Sequence, residues 1–401
     1  MKRVYITTEV TCLVILAAFT LCFRLLNITG EKESLKIGFI YDNDESTPYT
    51  YNFSLSKDAL EKKYGGRVEI ITCSNVLDDE MEEPLRDLAG QGCDIIFFNG
   101  YSELVMKLAP EYPNTQFCQT SYMDMRDKTV PENYHTFKGE AYQGRYVSGI
   151  AAGMKIDQMI NEGIITEEDA KVGFVAAFPT SEVISGYTAF LMGVRSVVPT
   201  AVMKVTYTHT WSSYALEKRA AQQLIGDGCV VVSQYTDTIG PAIACEESSQ
   251  SKPVYFVGFN QSMSEVAPTS SLVTARICWE KYVLSAVDAV FSNKSIESKV
   301  SGKIRGSDVF AGFEEGWIEM VDLNQQVAAP GTEAAMKKAI DRFTRGNDDF
   351  VFKGNYTGVN PEDPSETIDL RNGYVENEDT SYPLFHYVLN DVITVTELNG
   401  N

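Results

Sequence analysis

The 401-residue chain is 44% hydrophobic and 22% charged, with a formal net charge of −21. That length exceeds one ordinary domain and suits two, each with its own core. The acidity excludes nucleic acid as a partner, since phosphate contacts need a cationic face and no basic cluster follows residue 35.

Lys2 and Arg3 precede an apolar run over 10–23, which reads as a signal peptide or N-terminal membrane anchor occupying residues 1–30. The run is shorter than the roughly 20 residues of a spanning helix, although Leu25, Leu26 and Ile28 extend it past Arg24. Cys22 follows Phe19, Thr20 and Leu21, and a bulky residue directly before the cysteine argues against lipidation. No small-x-small cleavage site stands out, which favours a retained anchor. The positive extreme N-terminus places the remainder on the outer face of the cytoplasmic membrane, extracellular or periplasmic, anchored or secreted.

Strands and helices then alternate. The pattern predicts a strand over 36–41, a helix over 52–64, a strand over 68–72, a helix over 79–91 and a strand over 94–98. A helix over 103–109 and a strand over 115–119 close this first set. A second set runs through helix 142–161, strand 171–176, helix 181–198, strand 202–207, helix 214–225, strand 230–233, helix 239–246 and strand 254–258. A strand over 271–277, a helix over 279–291, a strand over 317–321 and a helix over 332–344 follow. Such alternation predicts α/β architecture with two doubly wound lobes joined by a hinge. Lobe 1 is expected over 35–136 and 272–309, and lobe 2 over 137–271 and 310–345. The polar stretch 346–401 is expected to dock on the lobes, its apolar run over 387–395 as a strand or short helix.

In a doubly wound sheet, ligands bind beyond the carboxyl ends of the strands. The residues there are Tyr49, Thr50, Tyr51 and Asn52, then Phe178, Gln234 to Asp237 and Asn260, with Asn99 past strand 94–98. This wall of aromatics and amides suits a flat polar molecule held without being transformed. There is no G-x-S-x-G, P-loop or G-x-G-x-x-G after a strand, so no catalytic residue or cofactor is expected. Acidic pairs such as Asp42 with Glu45, or Glu140 with Asp237, are too common in this composition to imply catalysis. Cys73, Cys93, Cys118, Cys229, Cys245 and Cys278 lack C-x-x-C or metal spacing and read as buried thiols, with pairing open in an exported chain. His135, His209 and His386 read as structural or surface residues, so no metal site is expected.

The run FVAAFPTSEVISGYTAFLMGVRSVVP over 174–199 closely resembles the basic membrane protein family of ABC transporter substrate-binding proteins, which includes purine nucleoside receptors. Collinear matches are EAYQGRYVSGIAAG over 140–153, Thr210-Trp211, QYTD over 234–237, VGFN over 257–260, and Trp279; together they span 36–345. The resemblance implies a type I periplasmic-binding-protein fold that closes on a nucleoside, nucleobase or similar heterocycle and delivers it to ABC permease subunits. By the same resemblance, Tyr49 stacks on the ligand and Phe178 opposes it from the second lobe. Trp211 either packs or contacts the ligand. Gln234 and Asp237 read polar edges of a base or ribose hydroxyls, unless Asp237 caps the helix that follows it.

Two departures bear on the ligand. Relatives commonly carry Asp where Asn260 stands, and an amide brings no charge to a sugar hydroxyl. The loop from Asp42 to Pro48 lacks the family's glycine pattern. A free base or another flat heterocycle therefore stays open, as does a membrane-anchored ligand sensor that uses the same fold without transport.

Overall fold

The computed structural model describes residues 30–399. The anchor or signal segment and Cys22 lie outside the described residues. In chain order the elements are β1 (Leu35–Ile40), α1 (Pro48–Tyr64), β2 (Val68–Cys73), α2 (Glu82–Gly90), β3 (Ile95–Phe98), α3 (Leu104–Leu108), β4 (Gln116–Thr120) and β5 (Tyr134–Gly139). Next come α4 (Ala141–Asn161), β6 (Lys171–Ala176), α5 (Ser181–Arg195), β7 (Val202–Tyr207), α6 (Tyr214–Gly226), β8 (Val231–Tyr235), α7 (Gly240–Ser249), β9 (Tyr255–Phe259) and β10 (Ser271–Ile277). The chain finishes with α8 (Trp279–Phe291), β11 (Lys303–Arg305), β12 (Asp308–Ala311), β13 (Ile318–Val321), α9 (Thr332–Phe343), β14 (Thr357–Val359), β15 (Thr367–Asp369) and β16 (Ile393–Glu397).

Two seven-stranded sheets form two lobes. The first runs β11-β12-β5-β4-β3-β1-β2 and the second β13-β10-β9-β8-β6-β7-β16. All neighbours pair in parallel except β11 with β12 and β13 with β10. Both faces of the central strands are covered, so β3 reads IIFF and β8 reads VVSQY with every residue buried. These are the two α/β lobes that the sequence pattern predicts, in the type I arrangement that the family resemblance implies.

The chain passes between lobes three times: from β5 to α4, from β10 to α8, and from β12 to β13. These crossings touch one another. A Cβ on Gly139, at the end of β5, would lie 2.6 Å from Ile277 Cγ2 and 3.2 Å from Ile318 Cδ1. Two expectations about the boundaries change here. β10 pairs in parallel with β9, so 271–277 belongs to the second sheet rather than to lobe 1. β5 runs to Gly139 inside the first sheet, past the expected break at 136. No strand was expected over its sequence, YHTFKG, yet all six residues are buried.

Helix α1 starts four residues earlier than expected. Pro48 occupies its first turn, where a fixed φ and a missing N–H cost nothing. Tyr49 to Asn52 therefore lie on the helix and point to different sides of it. The long motifs over 140–153 and 174–199 are the packed pair α4 and α5, whose backbones touch. A Cβ on Gly149 would sit 2.1 Å from the Phe190 carbonyl oxygen.

The segment after residue 345 is more than a polar tail. Phe352, Phe385 and Leu389 are fully buried, and β16 extends the second sheet in parallel with β7. All six described cysteines are free. Among the described residues no helix is long and apolar enough to cross a membrane.

Candidate functional site

A narrow cavity of about 40 Å³ lies between the lobes, and almost every residue lining it follows the carboxyl end of a strand. From the first lobe come Asp42 after β1, Tyr49 on α1, Tyr101 after β3 and Lys138 near the end of β5. The second lobe supplies Glu182 on the first turn of α5, Trp211 after β7, Tyr235, Thr236 and Asp237 at the end of β8, and Phe259 and Asn260 at the end of β9. Ile277 and Trp279 line it from the second crossing.

Aromatic rings form the walls. Tyr49 meets Trp279 edge-on at 6.0 Å, and its hydroxyl is anchored to the first lobe by donating to the Asn99 carbonyl or the Thr120 hydroxyl, each 3.3 Å away. Tyr101 of the first lobe and Trp211 of the second lie nearly parallel, 14° apart with centroids at 5.9 Å. Tyr235 and Phe259 pack at 5.0 Å, with the Arg145 guanidinium 3.7 Å from the Phe259 centroid and 4.8 Å from that of Tyr235. Arg145 also donates to the Gln234 carbonyl, so a buried cation fixes both rings and the corner that carries Asp237.

The polar groups are mostly acceptors. Asp237 Oδ1 accepts the backbone amide of Tyr49 at 2.7 Å, and burial pushes its carboxyl up to about 7. Burial also raises Asp42, although its Oδ1 accepts from the Thr50 hydroxyl and the Asn43 amide. Lys138 Nζ lies 2.8 Å from Glu182 across the lobes and donates to the Ser121 carbonyl at the same distance. Glu182 also accepts from Tyr235 at 2.9 Å and from Tyr101 at 3.4 Å. The one lysine in the cavity is thus already engaged, while Asp42 and Asp237 keep free acceptor capacity.

Of the residues expected to contact ligand, Tyr49, Trp211, Asp237, Asn260 and Trp279 line the cavity. The other six do not. Tyr51 is 38% exposed on the outer side of α1. Thr50 and Asn99 stand behind Asp42, whose backbone amide donates to Asn99 Oδ1. Asn52 donates to the Ile277 carbonyl and the Asn260 side chain, tying α1 to the crossing and to the second lobe. Phe178 lies edge-on behind Trp211 at 5.6 Å and supports that ring. Gln234 turns back to donate to the Thr236 and Thr238 carbonyls.

Asp237 does cap a helix, but it is α1 of the other lobe rather than α7 beside it. Asn260 holds φ at +66°, a left-handed conformation that Asn and Asp tolerate better than other side chains. Tyr101, Lys138, Glu182, Phe259 and Ile277 were not singled out, and Tyr235 entered only within the run 234–237. Glu182, Tyr235 and Phe259 sit inside motifs already quoted, and Tyr101 follows Asn99 by two residues. Lys138 had no signal, because its strand was not legible.

Residues 36–345 match the family model Bmp, described as ABC transporter substrate-binding protein PnrA-like. A purine-binding protein of Brucella abortus is 26% identical over 325 residues, covering 79% of this chain and 84% of that protein. A candidate glucose-binding protein of an ABC transporter in Haloferax volcanii is 25% identical over 356 residues, covering 84% and 83%. Among solved structures, a solute-binding protein of an Aeropyrum pernix ABC transporter system superposes with a TM-score of 0.63 at 16% identity, over 78% of this chain and 92% of that one. Its counterpart from Conexibacter woesei gives 0.60 at 17%, over 78% and 97%. These two likenesses concern the fold.

Proposed function

The chain belongs to the Bmp family of PnrA-like ABC transporter substrate-binding proteins, and on that premise we propose that its cleft captures a purine nucleoside or related flat heterocycle for an ABC permease. The family is one of extracytoplasmic binding proteins with small-molecule ligands, and capture rather than catalysis is the role assigned here. The reading rests on one observation: aromatic walls from both lobes enclose two carboxylates with free acceptor capacity and no unengaged cation.

A planar ring on Tyr49 or Trp211 gains about 1–3 kcal/mol by stacking. Asp42, Asp237 and Asn260 are suited to ribose hydroxyls or ring N–H groups, each of which donates to an acceptor. An anionic ligand such as a nucleotide would meet carboxylates with no free positive charge to offset them. Ligand energy then draws the lobes together about the three crossings, because closure completes the cavity. The name of the Brucella abortus relative supports a purine, and that of the Haloferax volcanii relative makes glucose the competing ligand.

A thermal-shift screen of nucleosides, nucleobases, nucleotides and sugars tests the reading, since a ligand of the folded state raises the unfolding midpoint with its concentration over Kd. Nucleosides are expected to raise it and nucleoside monophosphates to leave it unchanged. A rise with sugars alone would replace the purine by a sugar.

A further inference from the structure

The family match ends at residue 345, yet a later segment joins the two lobes beside the cleft. Residues 376–385 are held on the second lobe at two points. Ser185 Oγ donates to Glu376 Oε2 at 2.6 Å, and Ser181 Oγ donates to the Pro383 carbonyl at 2.7 Å. Glu376 also accepts the amides of Leu384 and Phe385, which closes the segment on itself. On the first lobe, Asp308 of β12 accepts the Ser381 amide at 2.8 Å and the Thr380 hydroxyl at 3.3 Å through Oδ2. Its Oδ1 accepts from Thr136 within the first lobe. Glu376, Asn377, Thr380, Ser381 and Asp308 are all under 5% exposed.

The two attachments are unequal. Toward the second lobe the surrounding chain adds β16 in the sheet, Phe352 against Tyr142 of α4 at 5.8 Å, and Arg195 donating to Tyr356. Toward the first lobe, segment 376–385 adds the Met125 amide at 3.5 Å from Thr380, the exposed Arg305–Asp379 pair and the Tyr382 ring near Lys138, and the surrounding chain adds Asp348 at 3.7 Å from Lys303 but no strand in the sheet. The segment therefore moves with the second lobe, and lobe opening must break its bonds to Asp308. Between its anchors, the Tyr382 ring lies 5.6 Å from Lys138 Nζ, covering the Lys138–Glu182 pair that crosses the cleft.

We propose that residues 376–385 are a closure latch: carried by the second lobe, they dock on Asp308 as the lobes close and hold the closed form from outside the ligand cavity. The latch rests on the reading of the cleft as a site that opens and closes, but not on the identity of the ligand. Docked hydrogen bonds to a buried carboxylate stabilise the closed state, so they lower the rate at which ligand leaves.

The test compares the full chain with Asp308→Asn, which turns an amide N–H toward the Ser381 amide, and with Thr380→Val, an isosteric change on the latch itself. One spin label on each lobe reports their separation by pulsed EPR without ligand. Both variants are expected to shift the distribution to longer distances. Any ligand that raises the unfolding midpoint should then leave about 5- to 10-fold faster, the loss expected for one or two such bonds. An unchanged distance distribution in both variants overturns the latch, and so does a lowered midpoint with an unchanged ligand off-rate. The distance needs no ligand, so failure of the nucleoside reading leaves this test standing.

Discussion

Asp237 Oδ1 accepts the backbone amide of Tyr49 at 2.7 Å, and the two residues belong to opposite lobes. The amide is one of the unpaired donors at the N-terminus of α1, where the helix carries partial positive charge. A carboxylate of the second lobe thus caps a helix of the first, next to the ring proposed to stack on the ligand. Closure, helix capping and ligand contact meet at one hydrogen bond.

Aromatic truncations should fall in a fixed order. Tyr49→Ala and Trp211→Ala each remove a cavity wall and should weaken nucleoside binding by about 10- to 100-fold in calorimetric titration. Phe178→Ala removes only the support behind Trp211 and should cost less than either. Equal affinity in all three would end the stacking model.

Acidity at Asp237 should appear in stability. Its folded-state carboxyl sits at about 7, raised by burial from the ordinary 3.8. The folded state therefore binds the proton more tightly, and this contribution is full below about pH 4 and lost as pH rises through 7. Glu140, also held near 7 by burial against the pull of Lys303, acts in the same window. Asp237→Asn keeps the acceptor for Tyr49 and should remove about 2–4 kcal/mol of the decline between pH 4 and 7. Denaturant titrations across that range would show a flatter profile, whereas an unaltered slope would reject the assignment.

Breaking the Lys138–Glu182 pair strands a charge in the cleft. Lys138→Met or Glu182→Gln should cost about 3–5 kcal/mol, and the double variant less than the sum. Glu182→Gln also frees the lysine, so nucleoside monophosphates should gain affinity relative to nucleosides. Chemical denaturation and competition binding read the two effects separately.

Gly149→Ala tests the contact between α4 and α5. The added methyl carbon would sit 2.1 Å from a backbone oxygen that cannot yield without moving a helix. A loss of roughly 3 kcal/mol or more is expected, as for severe core overpacking. A well-tolerated alanine would show that the helices are not in backbone contact.

Much of the fold was legible because apolar strands with Gly or Pro punctuation dominate both lobes, as in 171–207. β5 was not, because burial of His135 and Lys138 depends on partners far along the chain: Glu297 and Gln116 for one, Glu182 and Ser121 for the other. The lobe that owns β10 was hidden too, since only pairing with β9 decides it. In the site, strand ends pointed to the right loops but not to the right side chains. Starting the helix at 52 left Tyr49, Thr50 and Tyr51 in a loop on one wall, whereas helical geometry sends Tyr49 inward and Tyr51 outward.

The most direct measurement uses the protein's own tryptophans. Of the three, Trp211 and Trp279 line the cavity and Trp317 does not. Intrinsic fluorescence titrated with adenosine, guanosine and inosine, and separately with glucose, reads ligand arrival at those rings. A saturable change with nucleosides, weakened in Tyr49→Ala and absent with glucose, is the predicted result. Saturation by glucose with no response to any nucleoside would contradict the account.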